Sequence, residues 1–527
     1  MLDNLRMFAR YAWGLHGYLS HRLTPEECRR MLEDQLKSRE RSFLGIVERG
    51  IYSNPRSPYL KLLRHSGVEY ADFAGLVRQY GVEGSLTHLY DFGIYISLDE
   101  FKRRVPIRRP GLEIEVGPHD FDNPFLSRHY SSQSSGSRGV RTRVIMDLDL
   151  LTHDAACNYY MLKSFGLEDR PKGIWREVPP VTTGVNVLLR LEKLGMPVEK
   201  WFSSSKLKLD PKSLQFLLFT YYTIYTGRIL LGHFPEPEYA PLENAFEVSR
   251  WLARKKADGT PAFLDTQASA AVRACMAAVE EGLDISGTCF CIGGEPYTKA
   301  KAEVISGTGC LAVNRYSMTE LGNIGIACAD PADFDDIHIF TDKVAVIERQ
   351  KSLGAGELSV GALVYTTILP SCPKLMLNVE SDDYGVLEDR HCACPIGGLG
   401  FTTHLSQIRS YEKLTSGGVT FLGTELLRLI EEVLPKRFGG HPTDYQLAEE
   451  EEGGIPKVDI VVSPRVGVVD ENAVVTAMLQ ALRAYPGGDV MSEQWEQGRT
   501  LRVVRREPYT TASAKILPLH ILKTNVN

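Results

Sequence analysis

Three short stretches and one distant lysine carry the residue types that could grip a nucleotide and stabilise moving charge. In chain order they are Ser134-Ser135-Gly136-Ser137-Arg138-Gly139, Gly293-Gly294-Glu295-Pro296, Tyr316-Ser317-Met318-Thr319-Glu320 and Lys515, the last within Ser513-Ala514-Lys515-Ile516. Glycines in the first run let successive N–H groups turn into one concavity, and such a nest holds phosphate oxygens, with serine hydroxyls as extra donors. Alone, the run also suits a plain polar surface loop; the strand expected right after it, over 141–146, favours the phosphate loop. Paired glycines at Gly293-Gly294 let a flat ring approach the backbone. Thr319 and Glu320 offer a hydroxyl and a carboxylate of the kind that meets Mg²⁺ and a phosphate oxygen. Lys515, flanked by small residues, can bring an ammonium to charge developing on a transferring group. Taken in this order, the pieces describe a site that binds ATP and activates an acid as its adenylate.

The elements that must hold these residues have their own signals. Residues 1 to about 110 read as helical, with Thr24-Pro25-Glu26-Glu27 a helix start: threonine as N-cap, proline at the first position, acids in the first turn. Asn54-Pro55-Arg56-Ser57-Pro58 breaks that pattern. From about 115, short β-rich runs alternate with helical ones, as in the strand Thr288 to Ile292 after the helix Ala268 to Glu281, which predicts an α/β core. Cys289 and Cys291 share a face of that strand and read as packing. A second boundary near 405–418 leads to helices at Glu425–Leu434, ended by Pro435, and at Glu471–Ala484, with a strand at Val458–Val462. The expected organisation is a large N-terminal α/β domain of several subdomains, 1–408, and a small mobile C-terminal α+β domain, 409–527, within ordinary domain size. The Glu449–Gly454 run reads as a solvated turn.

Bulk properties bound the alternatives. The 527 residues exceed one ordinary core, and 43% hydrophobic with 24% charged residues is a globular composition. A formal net charge of −6, with no basic stripe, gives no reason to expect a nucleic-acid partner. Ten irregularly spaced cysteines read as reduced thiols or metal ligands, so a cytoplasmic setting is expected. The N-terminus lacks a basic segment followed by an apolar run and a cleavage site. The most apolar stretch, Leu214 to Leu231, contains Gln215, Thr220 and Arg228 and reads as a buried element, with Tyr221, Tyr222 and Tyr225 as core.

Cys328, His338, Cys392 and Cys394 are the residues to consider for zinc. Three thiolates and an imidazole would complete a closed tetrahedral site of structural type. His391 and Cys372 are alternative ligands, and four packed or reduced side chains are the plainer alternative.

Together, the glycine run, the Gly-Gly-Glu-Pro turn, the Tyr-Ser-Met-Thr-Glu motif and the late lysine resemble the adenylate-forming superfamily of acyl-CoA ligases, over most of the chain. The phenylacetate–CoA ligase branch and the acyl-protein synthetases are the most similar branches. The resemblance implies an ATP site built by Ser134, Ser135, Gly136, Ser137 and Gly139 on the phosphates, and by Gly293, Gly294, Glu295, Pro296 and Tyr316 around the adenine. Asp383 would bind the ribose, with Asp382 competing, while Glu320 would serve Mg²⁺ and Thr319 the α-phosphate. Arg409 would mark the hinge, and Lys515 would catalyse adenylation. Some phenylacetate–CoA-ligase-like proteins carry a similar cysteine and histidine set. The implied reaction is formation of acyl-AMP and pyrophosphate from a small carboxylic acid, then acyl transfer to CoA. A carrier-protein thiol or an amine as acceptor, a non-carboxylate acid such as nitrite, and a non-catalytic nucleotide-binding relative are the alternatives. Three departures stand out: Arg141-Thr142 where Pro-Lys is usual, Tyr411-Glu412 after the hinge arginine, and Ala514 in place of a glycine.

Overall fold

A computed structural model describes residues 2–133, 143–206, 214–352, 359–410, 423–452, 455–483, 492, 495–496, 501–511 and 514–521. The expected phosphate run at 134–139, Arg141-Thr142 and Tyr411-Glu412 lie outside these.

A twelve-stranded mixed sheet organises the large part of the chain. Its order is Val344–Ser352, Ser359–Thr367, Val379–Asp389, Thr403–Ser410, Ile337–Ile339, Gly322–Ala327, Leu311–Met318, Cys289–Gly293, Phe263–Thr266, Lys172–Trp175, Val198–Ser203 and Pro237–Tyr239. Strands from Leu311–Met318 to Pro237–Tyr239 run parallel, and those on the other side pair antiparallel. The central parallel strands Lys172–Trp175, Phe263–Thr266 and Cys289–Gly293 are buried end to end, as expected where helices cover both faces. Their carboxyl ends therefore open at one edge, where open α/β sheets bind ligands. The helix Ala268–Glu280 covers the parallel half with a near-continuous buried alanine face.

The N-terminal helices form where the sequence predicts them. Thr24 caps the helix Pro25–Lys37, with Glu27 reaching back to the Thr24 N–H in a capping box. Other expectations need correction. The segment Leu214–Leu231 is a helix, but only one side is buried: Leu214, Leu218, Tyr221, Tyr225 and Ile229 form an exposed stripe. Helical periodicity puts those five residues on one face, so two of the tyrosines expected in the core stand in water. Among the described residues no helix is long and apolar enough to cross a membrane. Pro435 does not end its helix. A π-turn at Leu429–Val433 lets the chain start a fresh turn with Pro435 at its beginning, and helix Leu434–Phe438 stops at Gly439, φ 84°. Glu449–Glu452 is not a turn but the end of the strand Tyr445–Glu452.

That strand belongs to a separate four-stranded sheet, ordered Leu501–Arg505, Ile455–Val462, Tyr445–Glu452 and Leu519–Ile521. Leu429, Tyr445, Leu447, Ile460, Val474 and Met478 close a core of its own beneath the helix Glu471–Leu482. Ala514 and Ile516 are exceptions. They join the cluster formed by the parallel half of the large sheet and its helices, so the segment carrying Lys515 packs on the large body.

Candidate active site

Gly293 and Gly294 end a parallel strand, and each is glycine for a different reason. A Cβ at Gly293 would meet the Arg315 carbonyl oxygen of the neighbouring strand at 2.6 Å. Gly294 has φ +86°, and a Cβ there would meet Lys515 Nζ at 3.0 Å. The turn thus lets the lysine lie against bare backbone. The Lys515 loop is closed by Thr511 N–H donating to the Lys515 carbonyl at 2.9 Å and by Lys515 N–H donating to Thr511 Oγ1 at 3.1 Å. Ala514, before the lysine, has φ +51°, a left-handed conformation that costs an alanine about 1 kcal/mol and a glycine almost nothing. The usual glycine at this place has a backbone reason.

A cleft of about 380 Å³ opens at this edge. Gly294, Glu295, Pro296, Tyr316, Thr319, Glu320, Asp383, Arg409 and Lys515 all line it. Gly293 lines a smaller adjoining cavity of about 140 Å³, which shares Gly294, Thr319 and Lys515 with the cleft. The structure therefore brings together every site residue expected for the nucleotide and the chemistry that falls among the described residues. Tyr316 donates to Asp383 Oδ2 at 2.5 Å and lies 2.8 Å from the buried Tyr365 hydroxyl, which fixes the Tyr316 ring at the cleft wall. Of the two aspartates weighed for the ribose, Asp383 is the one in the lining. Arg409 is the penultimate residue of the strand Thr403–Ser410 and donates to Asp335 at 3.1 Å. Asp335 also lines the cleft, and the sequence reading missed it.

Two carboxylates are more occupied than the sequence suggests. Glu320 Oε1 accepts from Lys102 Nζ at 2.6 Å. Lys102 comes from the N-terminal helical region, so a protein cation shares the carboxylate expected to serve Mg²⁺. Glu295 Oε2 accepts from Ser269 N–H at 2.7 Å, and its Oε1 accepts from Ser269 Oγ at 2.7 Å and Ile516 N–H at 3.1 Å. Its carboxylate ties the first turn of the helix Ala268–Glu280 to the residue after Lys515. Burial lowers the Lys515 pKa; Glu177 and Glu295 oppose that, and Arg176 adds to it.

Buried ion pairs support the floor. Asp265 receives both arms of Arg315, at 2.6 and 3.1 Å, and Nε of Arg176 at 2.7 Å. Burial alone would lift its carboxyl, but Arg315 and Arg176 outweigh that and hold it down to about 2. Arg176 and Glu177 follow the strand Lys172–Trp175 and line the smaller cavity. Their place at a strand's carboxyl end was a usable signal that the motif reading passed over.

A second cluster lies behind the cleft. Cys328 Sγ is 3.7 Å from Cys392 Sγ, which is 3.4 Å from Cys394 Sγ. His338 Nε2 is 3.4 Å from Cys392 Sγ and 3.1 Å from Cys394 Sγ. Zinc–sulfur bonds of about 2.3 Å and zinc–nitrogen bonds of about 2.0 Å give tetrahedral edges near these lengths. His338 Nδ1 lies 2.9 Å from the Phe401 carbonyl, which leaves Nε2 to face the thiols, the outer hydrogen bond a ligating histidine usually has. A Cβ at Gly397 would meet Cys392 Sγ at 2.6 Å, so that glycine makes room for the sulfur. The residues fit a zinc ion. His404, missed in the sequence, lies tilted against His338 at 4.1 Å and forms with Cys328, His338 and Cys392 the close donor group found among the described residues, a group that leaves out Cys394 as well as the alternatives Cys372 and His391.

No family model matches the sequence, and no curated protein does. Solved structures do match. A 2-hydroxyisobutyryl-CoA ligase in the postadenylation state, in complex with R3-HIB-AMP, aligns over 92% of this chain and 89% of its own, at 12% identity and a TM-score of 0.54. The structure of the same ligase with 2-HIB-AMP aligns over the same shares at 13% identity and a TM-score of 0.52. At such identities the likeness is one of architecture. The chain has the fold of the adenylate-forming ligases.

Proposed function

We propose that the protein activates a small carboxylic acid as acyl-AMP and passes the acyl group to a thiol, for which CoA is the first choice. The observation that carries this reading is convergence: Lys515, Glu320, Thr319, Asp383 and the Gly293-Gly294 turn, far apart in sequence, line one cleft and its annex. In the first step a carboxylate oxygen of the acid attacks the α-phosphorus of ATP and the bond to pyrophosphate breaks. Lys515 stabilises the negative charge gathering there, and Thr319 donates to the phosphate. Glu320 would hold Mg²⁺, which neutralises phosphate charge when bound. In the second step the thiol sulfur attacks the acyl carbon, AMP leaves, and the thiol proton goes to solvent.

The same reading takes 1–408 and 409–527 as the two domains, with Arg409 at their joint. Lys515 is useful in the first step alone, so the small domain must leave before the thiol enters. Cys328, His338, Cys392 and Cys394 would hold a structural zinc, apart from the reacting atoms.

Exchange of labelled pyrophosphate into ATP, screened over a panel of acids, tests the first step. Lys515→Ala should reduce exchange at least about 100-fold, while thioester formation from supplied acyl-AMP and CoA persists. Equal loss of both half-reactions would remove the role assigned to the lysine, and absence of exchange with every acid would remove the enzyme reading.

A further inference from the structure

The smaller cavity sharpens this reading and rests on it. It adjoins the cleft at Thr319 and Lys515, which is where an acid's carboxylate must meet the α-phosphate. Its volume, about 140 Å³, is close to that of an apolar cavity able to take one benzene molecule, so it has room for roughly six or seven non-hydrogen atoms beyond the carboxylate that reaches the cleft. A fatty chain or a fused aromatic acid exceeds that.

The wall is charged. Arg176 and Arg190 line it and are 3% and 5% exposed. Arg176 uses Nε on Asp265 at 2.7 Å and Nη1 on the Gly293 carbonyl at 3.3 Å; its Nη2 is buried without a hydrogen-bond partner among the described residues. Arg190 uses Nη1 on Asp154 at 3.5 Å and Asn323 at 3.2 Å, and its Nε is likewise buried and unpartnered. The acids of the same wall are engaged. Asp154 accepts from Lys343 and, at 3.3 Å, from Asn323 N–H, and Glu177 accepts from Gln267. Burial raises the Glu177 pKa, with Arg176 the first of the groups opposing it, which weakens its objection to a second anion. The surplus in this wall is of cationic donors. Unpaired buried donors are costly, and a planar carboxylate matches a guanidinium fork better than any neutral group does.

We propose that the acid is a short dicarboxylate: one carboxylate meets Lys515 and the α-phosphate, and the other is received by Arg176 and Arg190. These arginines are then specificity residues of the adenylation step. An apolar tail of the same length would leave Arg176 Nη2 and Arg190 Nε still without an acceptor.

Pyrophosphate exchange with succinate, monomethyl succinate, pentanoate and benzoate tests this on the full chain. Succinate should exceed pentanoate and the monoester in kcat/KM by at least about tenfold, since loss of a buried hydrogen-bonding group commonly costs that much or more. Arg190→Met should raise the KM for succinate by about tenfold or more and narrow its lead over pentanoate, leaving the KM for ATP little changed. Arg176→Lys, which keeps a charge beside Asp265, serves if the first variant does not fold, and should narrow the same lead. A higher kcat/KM for pentanoate or benzoate than for succinate would overturn the dicarboxylate while leaving adenylation standing. Silence from all four acids, in protein shown by calorimetry to bind ATP, would overturn it too, and exchange with other acids would then decide whether adenylation survives.

Discussion

Lys515 shows how much one side chain depends on its surroundings. Its ammonium is the form the proposed mechanism uses, and burial, which disfavours charge, lowers its pKa from the ordinary 10.5. The proton is therefore lost at a lower pH than from a free lysine, and activity falls as pH rises through that lowered value; acid conditions leave this group charged. The pH profile of pyrophosphate exchange should show an alkaline limb below 10.5. Lys515→Arg, if it retains activity, should push that limb upward, because a guanidinium keeps its charge. An alkaline limb unchanged in the arginine variant would assign it to another group. The lysine itself was legible from its setting, Ser513-Ala514-Lys515-Ile516. The alanine before it, at φ +51°, adopts a conformation that suits a glycine better.

At the scale of elements, the cysteine and histidine cluster joins three pieces. Cys328 follows the strand Gly322–Ala327, His338 lies on the strand Ile337–Ile339, and Cys392 and Cys394 lie on the connection before Thr403–Ser410. A zinc ion there would pin the antiparallel half of the sheet beside the strand that carries Arg409. Purified protein should carry about one equivalent of zinc, since structural sites bind tightly. Cys392→Ser should lower the melting temperature by several degrees and release the metal, with a smaller loss in exchange rate; a metal-free protein with an unchanged melting temperature would remove the zinc. Elements themselves were read well where local chemistry decides them. Thr24 and Glu27 cap their helix as their spacing predicts, and the strand before Gly293-Gly294 lies within one residue of expectation. Reading failed where distant partners decide. Nothing near Pro435 announces the π-turn before it, and nothing in Leu214–Leu231 says which face another helix will cover. Arg190 and Asp335 were missed for the same reason, since each meets the site only through the folding of separate strands and helices, whereas Arg176 carried a local signal in its place at a strand's carboxyl end.

For the whole molecule, the proposed mechanism makes the position of the small sheet against the large one decide which half-reaction is possible. Several polar links hold it, among them these. Arg273 donates to the Thr443 carbonyl at 2.7 Å and faces Asp444 at 3.2 Å; Lys301 pairs with Glu431 at 2.8 Å; Glu295 accepts from Ile516 N–H at 3.1 Å. Buried polar links of this kind break at a defined cost, unlike apolar contact, which slides. Glu295→Gln retains one acceptor where three donors converge. It should slow pyrophosphate exchange by about tenfold, in line with loss of a hydrogen bond to a charged group, and leave thioester formation from supplied acyl-AMP unchanged or faster. Equal slowing of both steps would make Glu295 a fold residue only.

Lys515 lines both cavities and Thr511 the larger one, so under the proposed reaction their loop would also stopper the space in which the mixed anhydride forms. An acyl-AMP held behind that stopper is shielded from hydrolysis until the acceptor's turn comes. Loosening it would not merely slow the protein; it would convert activation into futile breakdown of ATP to AMP.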